Sequence, residues 1–382
     1  MIRILFITHM FPSYKGQSKK EVSYAILYLA LKLKKYSEIF VINPIPFYKI
    51  MQNKNTKPGF LAIEGTDSFI YPYFKIPKMD FTVFNIPKIL EILKEKQFFP
   101  DVIVAELNDN FKPAFLLSKK LKTKLVLGIH QSDILKLKKE KNNKTFQIFF
   151  ENSDKIACRS FAIYNKLKNI YPQFQNKMFI ANFGIDENII ENKQFFLKKS
   201  QLFKNQDNII FITVSSLKKL KNIDLNIKTL SKFNNKNWKY YIIGNGEEKS
   251  NLKKLVKKFN LENRVILKGY KEREEIFEDL KKSHVFVMVS APETFGLAYL
   301  EAMAKANIII CSKGWGIDGI VIDGINGFLV EPRNEKELHK TFEKIFNLNQ
   351  RSVEKILLNT WETINEYTLE KVTEKFFKNI FE

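Results

Sequence analysis

The segment Ala291-Pro-Glu-Thr-Phe-Gly-Leu-Ala-Tyr-Leu-Glu-Ala-Met-Ala304 decides the reading of this chain. It follows an apolar run of strand length at 285–289, and its second half is rich in helix formers. The pattern predicts strand, loop, then helix. Glu293 falls in the loop, and Glu301, eight residues on, lies about one and a half turns into the helix. The helix start at Phe295, Gly296 and Leu297 offers free backbone N–H groups and the positive end of the helix dipole, both suited to a phosphate. Gly296 lets a diphosphate approach the backbone, and the flanking carboxylates can accept from sugar or ribose hydroxyls. On spacing alone, the two glutamates fit a helix-start residue and an ordinary surface residue equally well.

Outward from this segment the C-terminal half alternates strand and helix patterns. Strands are predicted at 209–214, 238–243, 265–268, 285–289, 308–311 and 328–330, with helices at 225–234, 248–259, 271–282 and 296–304. The N-terminal half has strands at 2–8, 39–43, 101–105 and 124–129 and helices at 22–35 and 111–121. Strands separated by helices imply parallel sheets with right-handed crossovers. The stretch 53–84, with Pro58, Gly59, Gly65, Pro72 and Pro77, reads as loops with a short hairpin. The polar stretch 191–207 reads as the linker, and 352–382 as helical. The expectation is two Rossmann-like α/β domains facing a cleft, at 1–192 and 193–355, with a helical segment 356–382 returning to the first.

The chain has 382 residues, enough for two domains, and 45% hydrophobic residues, enough for two cores. Its two cysteines are far apart, which disfavours a disulfide framework or a structural zinc site and fits a reducing, cytoplasmic setting. No apolar run reaches the ~20 residues of a spanning helix, and the N-terminus lacks a signal-peptide pattern. The net charge of +22 admits two readings. One is a basic face for an anionic partner, such as an inner membrane surface near Lys19, Lys20, 32–35 and 119–124. The other is plain compositional enrichment in lysine.

Several motifs, in order, resemble the retaining glycosyltransferases of family four, which have the two-Rossmann GT-B fold. The 291–304 segment resembles that family's Glu-x7-Glu signature. Asp323-Gly-Ile-Asn-Gly-Phe-Leu-Val-Glu-Pro332, Gly314-Trp-Gly-Ile317, Asn182-Phe-Gly-Ile-Asp186 and Ile242-Ile-Gly-Asn-Gly246 resemble its other conserved segments, and together they cover nearly the whole chain.

The resemblance implies roles. Glu301 binds the donor ribose, Glu293 the transferred sugar, and the amides of Phe295, Gly296 and Leu297 the sugar and phosphate. Lys221 holds the diphosphate, with Ser216, Gly244 and Gly16 also in the donor-binding set. The Gly-Arg pair of the family's phosphate clamp is replaced here by Ser215 and Ser216, which removes one fixed cation that Lys218 or Lys219 would have to supply. In the first domain the loop 12–16 is similar to the acceptor-side loop. His130 would face the donor sugar as a catalytic residue, and Asp133 would orient an acceptor hydroxyl. No Asp-x-Asp pair occurs, so neither a metal nor another cofactor is expected.

The implied activity is transfer of a sugar from a nucleotide-diphosphate sugar to a hydroxyl of a glycan or lipid-linked acceptor, as in cell-surface polysaccharide or glycolipid synthesis. Two other classes compete. One is a degenerate, non-catalytic partner subunit, prompted by Ser216. The other is a nucleic-acid binder, prompted by charge, for which no module pattern is present.

Overall fold

The computed structural model describes residues 1–17, 24–75, 82–139, 144–205 and 208–381. It divides into two compact units. The first comprises Met1–Arg159, Ile163–Phe183 and Leu369–Glu382, and the second Ser160–Ala162 and Gly184–Thr368.

In the first unit the strands are β1 (Ile2–Ile7), β2 (Ser37–Pro46), β3 (Gly59–Ile63), β4 (Thr66–Lys75), β5 (Thr82–Val83), β6 (Val102–Glu106), β7 (Lys124–Ile129), β8 (Lys155–Cys158) and β9 (Met178–Ile180). Their order is β3-β4-β2-β1-β6-β7-β8-β9, with β5 against β4. From β4 to β9 the pairings are parallel, while β3 and β5 run antiparallel to β4. The central strands are apolar without alternation, because helices cover both faces of a parallel sheet. Ile4 to Ile7 and Val102 to Ala105 are fully buried. The order reverses at β1, so the C-terminal ends of β1 and β6 form a topological switch point.

The second unit holds β10 (Ile209–Val214), β11 (Trp238–Ile243), β12 (Val265–Gly269), β13 (Val285–Met288), β14 (Ile308–Ser312) and β15 (Gly327–Val330). All its pairings are parallel, in the order β12-β11-β10-β13-β14-β15. Numbered within the unit this is 3-2-1-4-5-6, the Rossmann order, with its switch point between β10 and β13.

Three expectations change. The stretch 53–84 is not mainly loop: the hairpin exists, but β4 is a ten-residue strand inside the sheet. Pro72 argued against an interior strand because it lacks an N–H. It stands opposite Ile45 of β2, while on its other edge β3 pairs only as far as Ile70 and β5 pairs only with Phe74 and Lys75, so that edge has no strand partner at Pro72 among the described residues. Pro77 lies outside the described residues, as do Val22, Lys19 and Lys20.

The expected linker is the helix Lys193–Asn205 over its described part. Phe196 and Phe203, seven apart, enter the second core, and buried Lys199 donates from Nζ to Leu280 O (3.0 Å) and Lys305 O (2.6 Å). A lysine at a core position hid the helical period from a polarity reading.

The tail is two helices, Gln350–Asn365 in the second unit and Leu369–Phe381 in the first, so the chain returns at residue 369 rather than 356. The first boundary likewise falls at 183/184 rather than 192/193. On the last helix Phe376 packs against Phe179 (centroids 5.9 Å) and under the Arg159 guanidinium (5.0 Å). Lys32 and Lys35 form ion pairs with Glu370 of this helix, whereas Lys119, Lys120, Lys122 and Lys124 are exposed. Among the described residues no helix is long and apolar enough to cross a membrane.

Candidate active site

The candidate donor site lies at the switch point of the second unit. The loop after β10 and the loop after β13 are stitched together there: Ala291 N donates to Leu220 O (3.0 Å), and Asn222 Nδ2 to Val289 O (2.7 Å). This brings Lys221 to Glu293, Nζ to Oε2 at 2.6 Å, with each side chain 14% exposed. Ser290 Oγ also donates to Glu293 Oε2 (3.2 Å), and Thr294 N to Oε1 (3.2 Å). The carboxylate is therefore fixed in orientation by three donors, one of them charged.

The helix Leu297–Ala304 starts at Gly296, which has φ +86°. A Cβ there would meet the Tyr299 ring at 2.7 Å, and Tyr299 is buried with its hydroxyl donating to Met288 O (2.6 Å). Only glycine fits both the backbone and the space. The amides of Phe295, Gly296 and Leu297 thus open the helix one strand-end from Lys221. The glycine-rich segment at 314–317 closes the other side, with Gly316 N donating to Glu293 O (3.2 Å).

Gly244 shapes the neighbouring loop. At φ +137° its hypothetical Cβ would lie 1.8 Å from Ser215 O, so the turns after β10 and β11 touch backbone to backbone. Leu217 N donates to Asn245 O (2.9 Å) across the same contact. Ser216 is exposed on this loop, as are Lys218 and Lys219.

Glu301 is held by a residue that sequence reasoning missed. Arg273 Nε (3.0 Å) and Nη2 (2.8 Å) both donate to its Oε1. Among the described residues no hydrogen bond falls on Oε2, which leaves that oxygen to accept from a hydroxyl. Arg273 opens the helix Arg273–Lys282 directly after a capping box formed by Glu272 and Glu275. The capping pattern was readable in Glu272-Arg-Glu-Glu275; the Arg273–Glu301 pairing was not, because it joins residues 28 apart.

In the first unit His130 and Asp133 are brought together with two further residues that sequence reasoning gave no part in the site. Glu106 is fully buried and receives Arg159 in two bonds, Nη2 to Oε1 and Nε to Oε2, the latter at 3.1 Å. His130 Nε2 lies 2.7 Å from Glu106 Oε2. A carboxylate only accepts, so Nε2 carries the proton. Burial disfavours the charged form of Glu106, but Arg159 and His130 outweigh it and bring its pKa down to about 2. Gly128 faces Glu106 in the β6–β7 register, and a Cβ there would meet the carboxylate at 2.2 Å, so glycine makes the room.

Asp133 is also fully buried, and its oxygens accept from the backbone amides of Asn108 (3.0 Å) and His130 (2.8 Å). Burial pushes its carboxyl up to about 6 against His130 and these bonds. The structure places Asp133 as a brace for two loops. Gly16 lies exposed in the loop after β1, with φ +75° and open space around it.

The second unit can hold an anion flanked by polar acceptors: Lys221 and the amides at 295–297 as donors, Glu293 and Glu301 as acceptors. Residues 194–356 match the model of the family described as glycosyl transferases group 1. An uncharacterized glycosyltransferase of Methanocaldococcus jannaschii is 30% identical over 236 residues, 61% of this chain and 61% of that protein. N-acetyl-alpha-D-glucosaminyl L-malate synthase of Bacillus anthracis is 26% identical over 210 residues, 54% of each. The chain thus matches under two thirds of the length of these two relatives. Among solved structures, HepE of Anabaena in complex with UDP superposes with a TM-score of 0.70 at 17% identity, covering 100% of both chains. A crystal of the same protein with UDP-glucose gives 0.68. These likenesses give the fold: two Rossmann-like units of the GT-B class.

Proposed function

We propose that this protein is a glycosyltransferase that moves a sugar from a nucleotide-diphosphate sugar to an acceptor hydroxyl with retention of anomeric configuration. The observation that carries the reading is the Lys221–Glu293 pair at the start of the helix Leu297–Ala304, at the Rossmann switch point. It puts one fixed cation and the amides of a helix start where a diphosphate leaves, beside carboxylates that bind hydroxyls. The match of residues 194–356 to the glycosyl transferases group 1 model supports it.

In this reading Glu301 Oε2 accepts from the ribose, and Glu293, held by Lys221, Ser290 and Thr294, accepts from the transferred sugar. The acceptor oxygen forms a bond to the anomeric carbon as the bond to the diphosphate oxygen breaks. The acceptor proton passes to the departing diphosphate, whose charge Lys221 and the amides at 295–297 stabilise. The transition state is oxocarbenium-like, and the step needs no metal. Lys221 has three N–H donors, so it can hold Glu293 and a phosphate oxygen together. Arg273 orients Glu301 and adds a guanidinium to a site that lacks the arginine expected at position 216. UDP is the first base to test, given the HepE complexes.

Thermal unfolding of the wild type and of Glu301→Ala with UDP, GDP, ADP and CMP tests the donor site. One nucleotide should stabilise the wild type and fail to stabilise the variant. No shift with any of them would refute the reading. The acceptor in this proposal is a glycan or lipid-linked hydroxyl, and exposed Lys119, Lys120, Lys122 and Lys124 provide a face for an anionic membrane. Equal binding to neutral and anionic vesicles would remove the membrane part.

A further inference from the structure

The first unit has its own cavity, of about 280 Å3, at the C-terminal ends of its parallel strands. Four strands deliver residues to it: His9 follows β1, Pro44 to Pro46 end β2, Lys75 ends β4, and Asp109 follows β6. It therefore lies at the switch point between β1 and β6, where open α/β sheets bind ligands. The volume is at the small end of ligand pockets, ~300–1,000 Å3, and suits one ring rather than an extended chain.

The lining is aromatic and polar. Phe11, Tyr48 and Tyr73 contribute rings, and Tyr73 is held flat by stacking on Phe84, centroids 4.7 Å apart and planes at 17°. Such rings suit the C–H faces of a sugar, while Ser13, Gln17 and Asn53 suit its hydroxyls.

The charge balance is uneven. Lys75 Nζ is paired with Asp109 Oδ2 at 3.0 Å, and Lys136 Nζ takes Asp109 Oδ1 at 3.0 Å. Asp109 is thereby saturated by two cations. Lys49, in the helix Phe47–Gln52, lines the same cavity and has no carboxylate partner among the described residues. His9 accepts at Nδ1 from Asn110 Nδ2 (3.2 Å), which leaves the ring's other nitrogen as a donor. The walls carry an excess of positive charge and of donors.

We propose that this cavity binds the acceptor, and that the acceptor unit is a single sugar-sized ring bearing an anionic group, carboxylate or phosphate, held by Lys49. The identification as acceptor rests on the transferase reading; the binding itself does not.

The test is calorimetric titration of the full chain with glucuronate, glucose 6-phosphate and glucose at low salt, for the wild type, Lys49→Gln and Lys49→Arg. At least one charged sugar should bind the wild type tenfold or more tightly than glucose. Lys49→Gln should lose that preference and Lys49→Arg keep most of it. The two charged probes distinguish carboxylate from phosphate recognition. Tyr73→Ala should weaken charged and neutral rings alike. Equal affinity for charged and neutral sugars, no binding of any probe, or an unchanged preference in Lys49→Gln would overturn the proposal. The nucleotide-induced thermal shift, measured on the same samples, reports folding and the donor site separately. Sugar binding without a nucleotide shift would refute the transferase reading while leaving the cavity assignment standing.

Discussion

Replacing Lys221 by methionine removes one charge and keeps most of the stem. Lys221 Nζ sits 2.6 Å from Glu293 in a site where both side chains are 14% exposed. A diphosphate oxygen at ~4 Å from this cation, at an effective dielectric of ~20, gains ~4 kcal/mol. At ~1.4 kcal/mol per decade, that bounds the rate effect near 1,000-fold. Part of the attraction is already shared with Glu293, so kcat should fall ~100- to 1,000-fold, the range seen when one transition-state donor is lost. Glu293 retains Ser290 Oγ and Thr294 N as partners, so the fold should survive. The assay is nucleotide release from a saturating nucleotide sugar, alongside denaturant unfolding. A loss in kcat below threefold in a folded variant would refute the leaving-group role. A KM effect alone would assign Lys221 to ground-state binding.

Other consequences follow from the same geometry. At a nucleotide concentration 100 times Kd the wild type should gain ~2.7 kcal/mol, and Arg273→Ala should shrink that gain by freeing Glu301, as measured by thermal unfolding. Gly244→Ala forces a Cβ to 1.8 Å from Ser215 O at φ +137°, so it should destabilise by ~2–4 kcal/mol in chemical denaturation; a neutral result would refute the backbone contact. Glu106 has a folded pKa near 2, below its ordinary 4.5. Its ionisation therefore stabilises the fold above pH 4.5, and that contribution is lost as pH falls through 2. Glu106→Gln should be clearly less stable than the wild type at pH 7, with the gap narrowing toward pH 3; a constant gap would contradict the charge assignment.

The alternating strands and helices were legible because buried parallel strands are continuous apolar runs and their helices carry a clean period. The strand, loop and helix around 291–304 were legible for a different reason: Gly296, Glu293 and Glu301 sit close together in sequence, so spacing encodes geometry. The Glu106–Arg159–His130 cluster was not, since its members come from the ends of adjacent strands far apart in the chain. Glu106 closing an apolar strand opposite Gly128 was the one available signal. Arg273 stayed hidden for the same reason. Lys193–Asn205 and β4 were misread because Lys199 and Pro72 are locally wrong for their elements, and only tertiary partners explain them.

Nucleotide-sugar chemistry is proposed to occur at the Lys221–Glu293 switch point. The most direct measurement is proton NMR of a turnover mixture with UDP-glucose and the other common nucleotide sugars, with Lys221→Met as control. The wild type should release one nucleotide diphosphate and form a product whose anomeric configuration matches the donor's, and Lys221→Met should lose both. Turnover undiminished in Lys221→Met would rule out a leaving-group role for this lysine, and a product of inverted configuration would rule out retention.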